Sequence, residues 1–284
     1  MSGNAVAKCV SMFSQMYHCL AYSVKEPKKQ LQKGIFTISI DVDVGSKKLG
    51  MLNEGKNDIN VSDKFSEYLI GKVEEMATPL FVDLFDDVEV PVTFAIRGQL
   101  TEVDNSILEL ILNSSVKHDI GAHGYYHKAF RKLSYTQAEN ELHLISEGMK
   151  KFGVRPKSFV FPRNSVAHLN LLEKYEYKCY RGYGDFMKDC MCIDKKGRLY
   201  NIHPSLYLFP SISPIFVKKM LDISIAKRLP FHMWFHLWSF GLTMESIRGS
   251  INRVFLPLLK YAKEKERNGV LKIKPMLSAI EEFE

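Results

Sequence analysis

The sequence contains no CxxC pair and has an odd number of cysteines, five among 284 residues (Cys9, Cys19, Cys179, Cys190, Cys192). That argues against a disulfide framework and fits a reducing compartment. It also lacks an apolar run able to span a bilayer. Residues 5–24 are moderately apolar, but they include Lys8, Gln15 and His18 and have no basic start, so neither a transmembrane segment nor an export signal is expected. No Arg/Lys block interleaved with aromatics accompanies the net charge of +7 and the pI near 9.0, so nucleic acid is not an expected partner. The densest basic run, 25–33, reads as linker surface first and as a membrane-facing patch second. There is no internal repeat and no low-complexity tract.

What is present is ordinary for a globular chain: 46% hydrophobic and 25% charged residues, with length enough for a large core. The central stretch is 35–44. Phe36, Ile38, Ile40, Val42 and Val44 alternate with Thr37, Ser39, Asp41 and Asp43, which is the period of a strand. Both carboxylates fall on one face at its C-terminal end. Two like charges that close repel unless a cation lies between them, one is protonated, or both face water at a sheet edge.

Residues 1–32 read as a helical extension and linker, and 33–284 as the main domain. A polar loop over 46–61 is long enough to imply a job. Beyond it, helices are expected over 62–76 and from 78, a strand over 91–96, a helix over 104–113, a strand over 118–122 and a helix over 134–152. Then come a strand over 158–161, a helix over 165–175, a strand over 178–181 and an extended piece over 200–209 broken by Pro204. A helix over 214–229, a strand over 231–236, a long helix over 245–268 and a last strand over 271–273 complete the chain. Such serial β-then-α order implies parallel strands with crossover helices.

Reactive side chains recur just after predicted strands: Asp41 and Asp43, His123 and His127, Arg163, and His236. In a parallel barrel the C-terminal strand ends share one face, so these distant residues converge there. His123 and His127 are four apart, and one helical turn would bring them to the same side. With one carboxylate they make a His₂Asp set, three ligands with a position open for water, which is the pattern of a catalytic divalent site. His232, Trp234 and His236 share the face of their strand opposite Phe231, Met233 and Phe235; His236 stands at the strand end, whereas His232 reads as a hydrogen-bonded core residue.

These stretches resemble the polysaccharide deacetylase superfamily, the NodB homology domain or carbohydrate esterase family 4, from about Lys33 to Ser239. The resemblance rests on Ser39-Ile40-Asp41-Val42-Asp43, His123-Gly124-Tyr125-Tyr126-His127, Phe161-Pro162-Arg163-Asn164 and Trp234-Phe235-His236. It implies an α/β fold, a distorted (β/α)7 TIM-like barrel of NodB type. Asp43, His123 and His127 would hold one divalent metal ion, with Zn²⁺ expected ahead of Co²⁺ or Ni²⁺. Asp41 would be the catalytic base, Arg163 its partner and His236 the acid, and a backbone N–H near Asn164 would help hold the oxyanion. Tyr125, Trp234 and Trp238 are placed to stack on a sugar. Three departures mark a divergent branch: Val42 separates the aspartates, Gly124 stands where a hydroxyl is usual, and Pro162 precedes Arg163.

The implied activity is hydrolysis of an N-acyl group, acetyl or formyl, from an amino sugar or a glycan precursor, phosphate-bearing or lipid-linked. Missing export features favour a cytoplasmic site of action, including the inner face of the membrane. Two alternatives stand beside this reading. One is a C–N hydrolase of a small cyclic amide, allantoinase-like; the other is a non-catalytic carbohydrate-binding relative.

Overall fold

The computed structural model describes residues 31–43, 72–103, 105–182, 191–241 and 243–283. Residues 1–30 of the extension expected over 1–32, the loop over 46–61 and most of the helix expected over 62–76 lie outside the described residues. Strand β1 (Gly34–Val42) pairs in parallel with β2 (Thr93–Ile96), β9 (Pro230–His236) and, at its start, β10 (Leu271–Ile273). The remaining strands are β3 (Asp119–Ala122), β4 (Ser158–Val160), β5 (Cys179–Arg181), β6 (Ile193–Lys196), β7 (Leu199–Ile202) and β8 (Leu206–Tyr207). They run in the order β6-β7-β5-β4-β3-β2-β1-β9-β8, and only the β6–β7 ladder is antiparallel. Consecutive strands β7 and β8 thus sit far apart in this order, β8 at one end and β7 next to the other, and residues 203–205 carry the chain between them. There the Ser205 N–H donates to the His232 carbonyl (2.8 Å), and Ser205 Oγ accepts from the His232 N–H (3.0 Å). The result is a curled α/β sheet, a distorted barrel of the expected kind.

Helices α1 (Thr78–Asp87), α2 (Leu100–Val103), α3 (Ser106–Leu112), α4 (Tyr135–Lys150), α5 (Leu169–Lys174), α6 (Pro214–Lys227), α7 (Met244–Ser250), α8 (Leu256–Arg267) and α9 (Met276–Glu281) surround or plug the sheet. Local chemistry sets several starts: Ser134 and Gln137 form a capping box on α4, as do Thr243 and Ser246 on α7. The long helix expected over 245–268 is instead α7 and α8 separated by a π-helical turn, Ile251–Phe255. Pro257, in the first turn of α8, has no N–H to donate backwards, which accounts for the interruption. The segment over 165–175 is helical only as α5, because His168 before it adopts a left-handed conformation (φ 55°). The β6–β7 hairpin and α9 were not expected from the sequence.

All nine residues of β1 are buried, so its polar face looks into protein rather than water. Phe36, Ile38, Ile40 and Val42 pack outwards against a core that includes Phe81, Phe231, Phe235 and Phe255. Each such side chain contributes about 1.5–3 kcal/mol when fully buried. The opposite face lines the barrel in layers. At the floor Ile35, Ala95, Cys179 and Ile202 meet Met276, Ala279 and Ile280 of α9. Asp119 fixes that plug, accepting from Thr93 Oγ1 (2.9 Å), Ser158 Oγ (2.6 Å) and the Leu277 N–H (3.3 Å). Above the floor Arg181 Nη1 donates to Ser39 Oγ (2.8 Å), Ser39 meets His232 Nε2 (2.8 Å), and His232 Nδ1 meets the Ile202 carbonyl (3.1 Å). Burial pushes His232 down to about 3, so it is a neutral, hydrogen-bonded member of the barrel interior.

Candidate metal centre

Asp41 and Asp43 close the C-terminal end of β1 and are 2% and 4% exposed. Parallel register puts Asp41 opposite Ala95 on β2 and His236 on β9. His236 Nε2 lies 3.7 Å from Asp41 Oδ2 and 3.3 Å from Asp43 Oδ2. His123 follows β3 directly, its N–H held by the Ile96 carbonyl (2.9 Å). The turn from His123 to His127 is not the helical turn expected. Gly124 (φ 66°) and His127 (φ 59°) both take left-handed backbone, and the rings still come within 4.9 Å of each other. A Cβ at Gly124 would stand 2.7 Å from Pro162 Cγ, so both conformation and space call for glycine there. Glu141 of α4 braces the turn, its carboxylate accepting from the N–H groups of Tyr125 (2.6 Å) and Tyr126 (2.9 Å).

The charges separate into two kinds. Burial pushes both aspartates up, but opposing charges win. Arg181, His123 and His236 hold Asp41 below the usual carboxylate range, and His236, His127 and His123 hold Asp43 well below it. Burial pushes His123 and His127 down despite the neighbouring aspartates, so both are neutral with lone pairs to offer. His236 goes the other way: burial opposes its charge, but Asp43 and then Asp41 outweigh it and raise the imidazole.

Asp43, His123 and His127 each present one donor atom, all within 4.8 Å of one another. His123 Nδ1 donates to the Val160 carbonyl (2.8 Å), which leaves the lone pair on Nε2. That Nε2 is buried with no hydrogen-bond partner and faces Asp41 Oδ2 at 3.8 Å. A buried lone pair aimed at a carboxylate is unfavourable unless a cation lies between them, so the donor set fits a divalent ion. The second ring nitrogen fixed by a backbone carbonyl is also the usual arrangement of a ligating histidine. Trp238 Nε1–H donates to Asp43 Oδ1 (3.1 Å) and orients the carboxylate.

Several sequence expectations need correction. The guanidinium on Asp41 belongs to Arg181, which donates from Nη1 to Oδ1 (2.7 Å) and from Nη2 to Oδ2 (2.5 Å). Arg163 sits in a 3₁₀ turn with left-handed backbone (φ 58°), and its charge bears on His127. The Asn164 N–H is committed to the Phe161 carbonyl (3.0 Å), so it does not offer itself to an oxyanion. Tyr125 is only 4% exposed; its ring belongs to the core and its hydroxyl donates to Glu102, which removes it from sugar stacking. Trp234 is buried too, with the Arg181 guanidinium 4.3 Å from its ring and Tyr207 packed at 4.6 Å. Sequence reading missed Arg181, Tyr207 and the buried Arg97, whose charge bears on His127. Tyr207, 5.7 Å from His236 ring to ring, is pushed up to about 12, mainly by burial, with the two aspartates adding to it. Arg181 and Arg97 both stand at or just after the end of a strand, the same signal that picked out His123 and His236.

Residues 70–180 match the polysaccharide deacetylase family. No curated protein matches the sequence. Three solved structures share the fold. A Mycobacterium smegmatis protein, provisionally assigned as a polysaccharide deacetylase, superposes with a TM-score of 0.65 at 16% identity, over 90% of this chain and 93% of its own. PuuE allantoinase gives 0.64 at 10% identity over 92% and 98% of the two chains. The probable polysaccharide deacetylase of Pseudomonas aeruginosa PAO1 gives 0.64 at 10% identity over 88% and 90%. Among the described residues no helix is long and apolar enough to cross a membrane.

Proposed function

We propose that this chain, whose residues 70–180 match the polysaccharide deacetylase family, is a metal-dependent hydrolase acting on the N-acyl group, acetyl or formyl, of an amino sugar or sugar-containing glycan precursor. The observation that carries this reading is the orphaned Nε2 of His123, buried beside Asp43 and His127 and directly in front of Asp41. A divalent ion held by Asp43, His123 and His127, with zinc ahead of cobalt or nickel, would supply Lewis acidity to the acyl carbonyl and acidify a bound water.

The chain's own groups supply the proton transfers. Asp41, kept ionised and aimed by Arg181, takes the proton of the attacking water. Because Arg181 makes Asp41 a weak base at equilibrium, the assignment requires a water already acidified in the same site. His236, whose proton is held by Asp43 and Asp41, delivers it to the departing nitrogen and turns a poor leaving group into a neutral amine. Trp238 keeps Asp43 turned towards the imidazoles.

The test is a chelated protein reloaded with zinc, assayed for acetate or formate release from N-acylated amino sugars and for ring opening of small cyclic amides. Acyl release that depends on the metal and is lost in Asp43→Ala supports the proposal. Turnover of cyclic amides alone would move the chain to the allantoinase-like reading. Metal binding without turnover of either class would leave a carbohydrate-binding relative.

A further inference from the structure

On the outer face of the sheet, at its β6–β7 edge, a second set of metal-ligating side chains comes together. Cys192, Asp194 and His203 each offer one donor atom, and the three atoms lie within 4.8 Å of one another. Strand pairing explains the convergence. Asp194 on β6 stands opposite Asn201 on β7, which stands opposite Tyr180 on β5, so the three share one face. Cys192 and His203 lie two residues further along on that side, tied by the His203 N–H to the Cys192 carbonyl (3.1 Å). Their sequence neighbours Ile193 and Ile202 point into the barrel floor, which puts this set outside the barrel and apart from Asp43.

Hydrogen-bonding distances draw the imidazole and the carboxylate together. His203 Nε2 is 2.8 Å from Asp194 Oδ2 and 3.1 Å from Asn201 Nδ2. A proton on Nε2 serves the Asp194 carboxylate, so the imidazole and the carboxylate already lie side by side with their donor atoms facing each other. On the same face, Asn201 Oδ1 and the Tyr180 hydroxyl are buried with no hydrogen-bond partner. A cation in place of the Nε2 proton would take the imidazole lone pair and the carboxylate at once, with the amide of Asn201 beside it.

We infer that Cys192, Asp194 and His203 form a second divalent-cation site, on the outside of the barrel and selective for a zinc-class ion. A thiolate with an imidazole favours a borderline-soft ion over magnesium or calcium, and three protein ligands leave one position for water. The bound form requires the Cys192 thiol to lose its proton to solvent and His203 to be neutral. His203 is 4% exposed and Cys192 is half-buried, so an ion can enter from the Cys192 side. The site ties the β6–β7 hairpin to the start of the link over 203–205, the seam that closes the barrel next to His232.

The test uses the full chain and cobalt alone. A thiolate bound to Co²⁺ gives a ligand-to-metal charge-transfer band in the near ultraviolet, and the Asp43 set contains no sulfur. The wild type should bind two ions per chain and show the band. Cys192→Ser and His203→Gln should each bind one ion and lose the band, while Asp43→Ala should bind one ion and keep the band. No band in the wild type overturns the inference whatever the variants do. Persistence of the band in His203→Gln, or its loss in Asp43→Ala, overturns it as well. The Asp43 site is read separately, from the ion lost in its own variant.

Discussion

Arg181, at the end of β5, grips both oxygens of Asp41, at the end of β1, from 140 residues away and across the barrel interior. The same guanidinium donates to Ser39 and stacks on Trp234. It joins the conformation of the site to the closure of the barrel, because Ser39 leads on to His232 and the seam at Ile202.

Removing that guanidinium leaves a carboxylate buried without its counter-charge. Arg181→Met is expected to lower unfolding stability by about 3–5 kcal/mol, and the double variant with Asp41→Asn to recover part of the loss. Urea denaturation of the three variants measures it. A double variant no more stable than Arg181→Met would show that the pair is not the source of the cost.

Asp41→Asn keeps shape and removes the base. Turnover should fall by about 10²–10⁴-fold, the usual contribution of a general base, with metal stoichiometry at the Asp43 site unchanged. Near-normal kcat in this variant would falsify the role given to Asp41.

Trp238 acts through Asp43, so it is a positioning residue. Trp238→Phe keeps the ring and deletes the 3.1 Å hydrogen bond; metal affinity should drop by about 10–100-fold. Competition with a calibrated chelator reads this directly, and unchanged affinity would mean that Asp43 is oriented by other contacts.

His118 offers a stability test away from the site. Packed against Phe94 and accepting from the Val92 N–H, it is pushed by burial from 6.5 down to about 4, against the opposing charge of Asp86. Above pH 6.5 it is neutral folded and unfolded. Between pH 6.5 and about 4 the unfolded chain takes up a proton that the folded one refuses, so stability falls as pH falls. His118→Gln should flatten that fall, by up to about 2–3 kcal/mol at the acid end. Parallel stability curves for wild type and variant across this window would sink the assignment.

The strand-end residues were legible because their signals are local. Period-two alternation over 35–44 and 231–236 fixes which side chains share a face, and a parallel fold then brings the strand ends together. Asp41, Asp43, His123, His127 and His236 accordingly meet in one buried cluster. The β6–β7 hairpin had a local signal as well, the Gly197 at its turn (φ 62°), but the charged run around it carries no alternation of apolar residues. Helix α9, six residues long, is too short to declare a period.

Which arginine would hold Asp41 was not written locally. Arg163 follows a short strand and Arg181 ends one, and only the curvature that carries β5 around to face β1 decides between them. The same holds for the His123–His127 turn, where spacing predicts proximity while Gly124 against Pro162 and Glu141 against two backbone N–H groups set the actual path. The sequence by itself determined which residues lie at strand ends and on which face, because those follow from bonded geometry and side-chain period. The tertiary structure alone decided which charges pair, which histidines stay neutral and which aromatics are buried. Those outcomes depend on through-space distance and desolvation between segments that the sequence keeps a hundred residues apart.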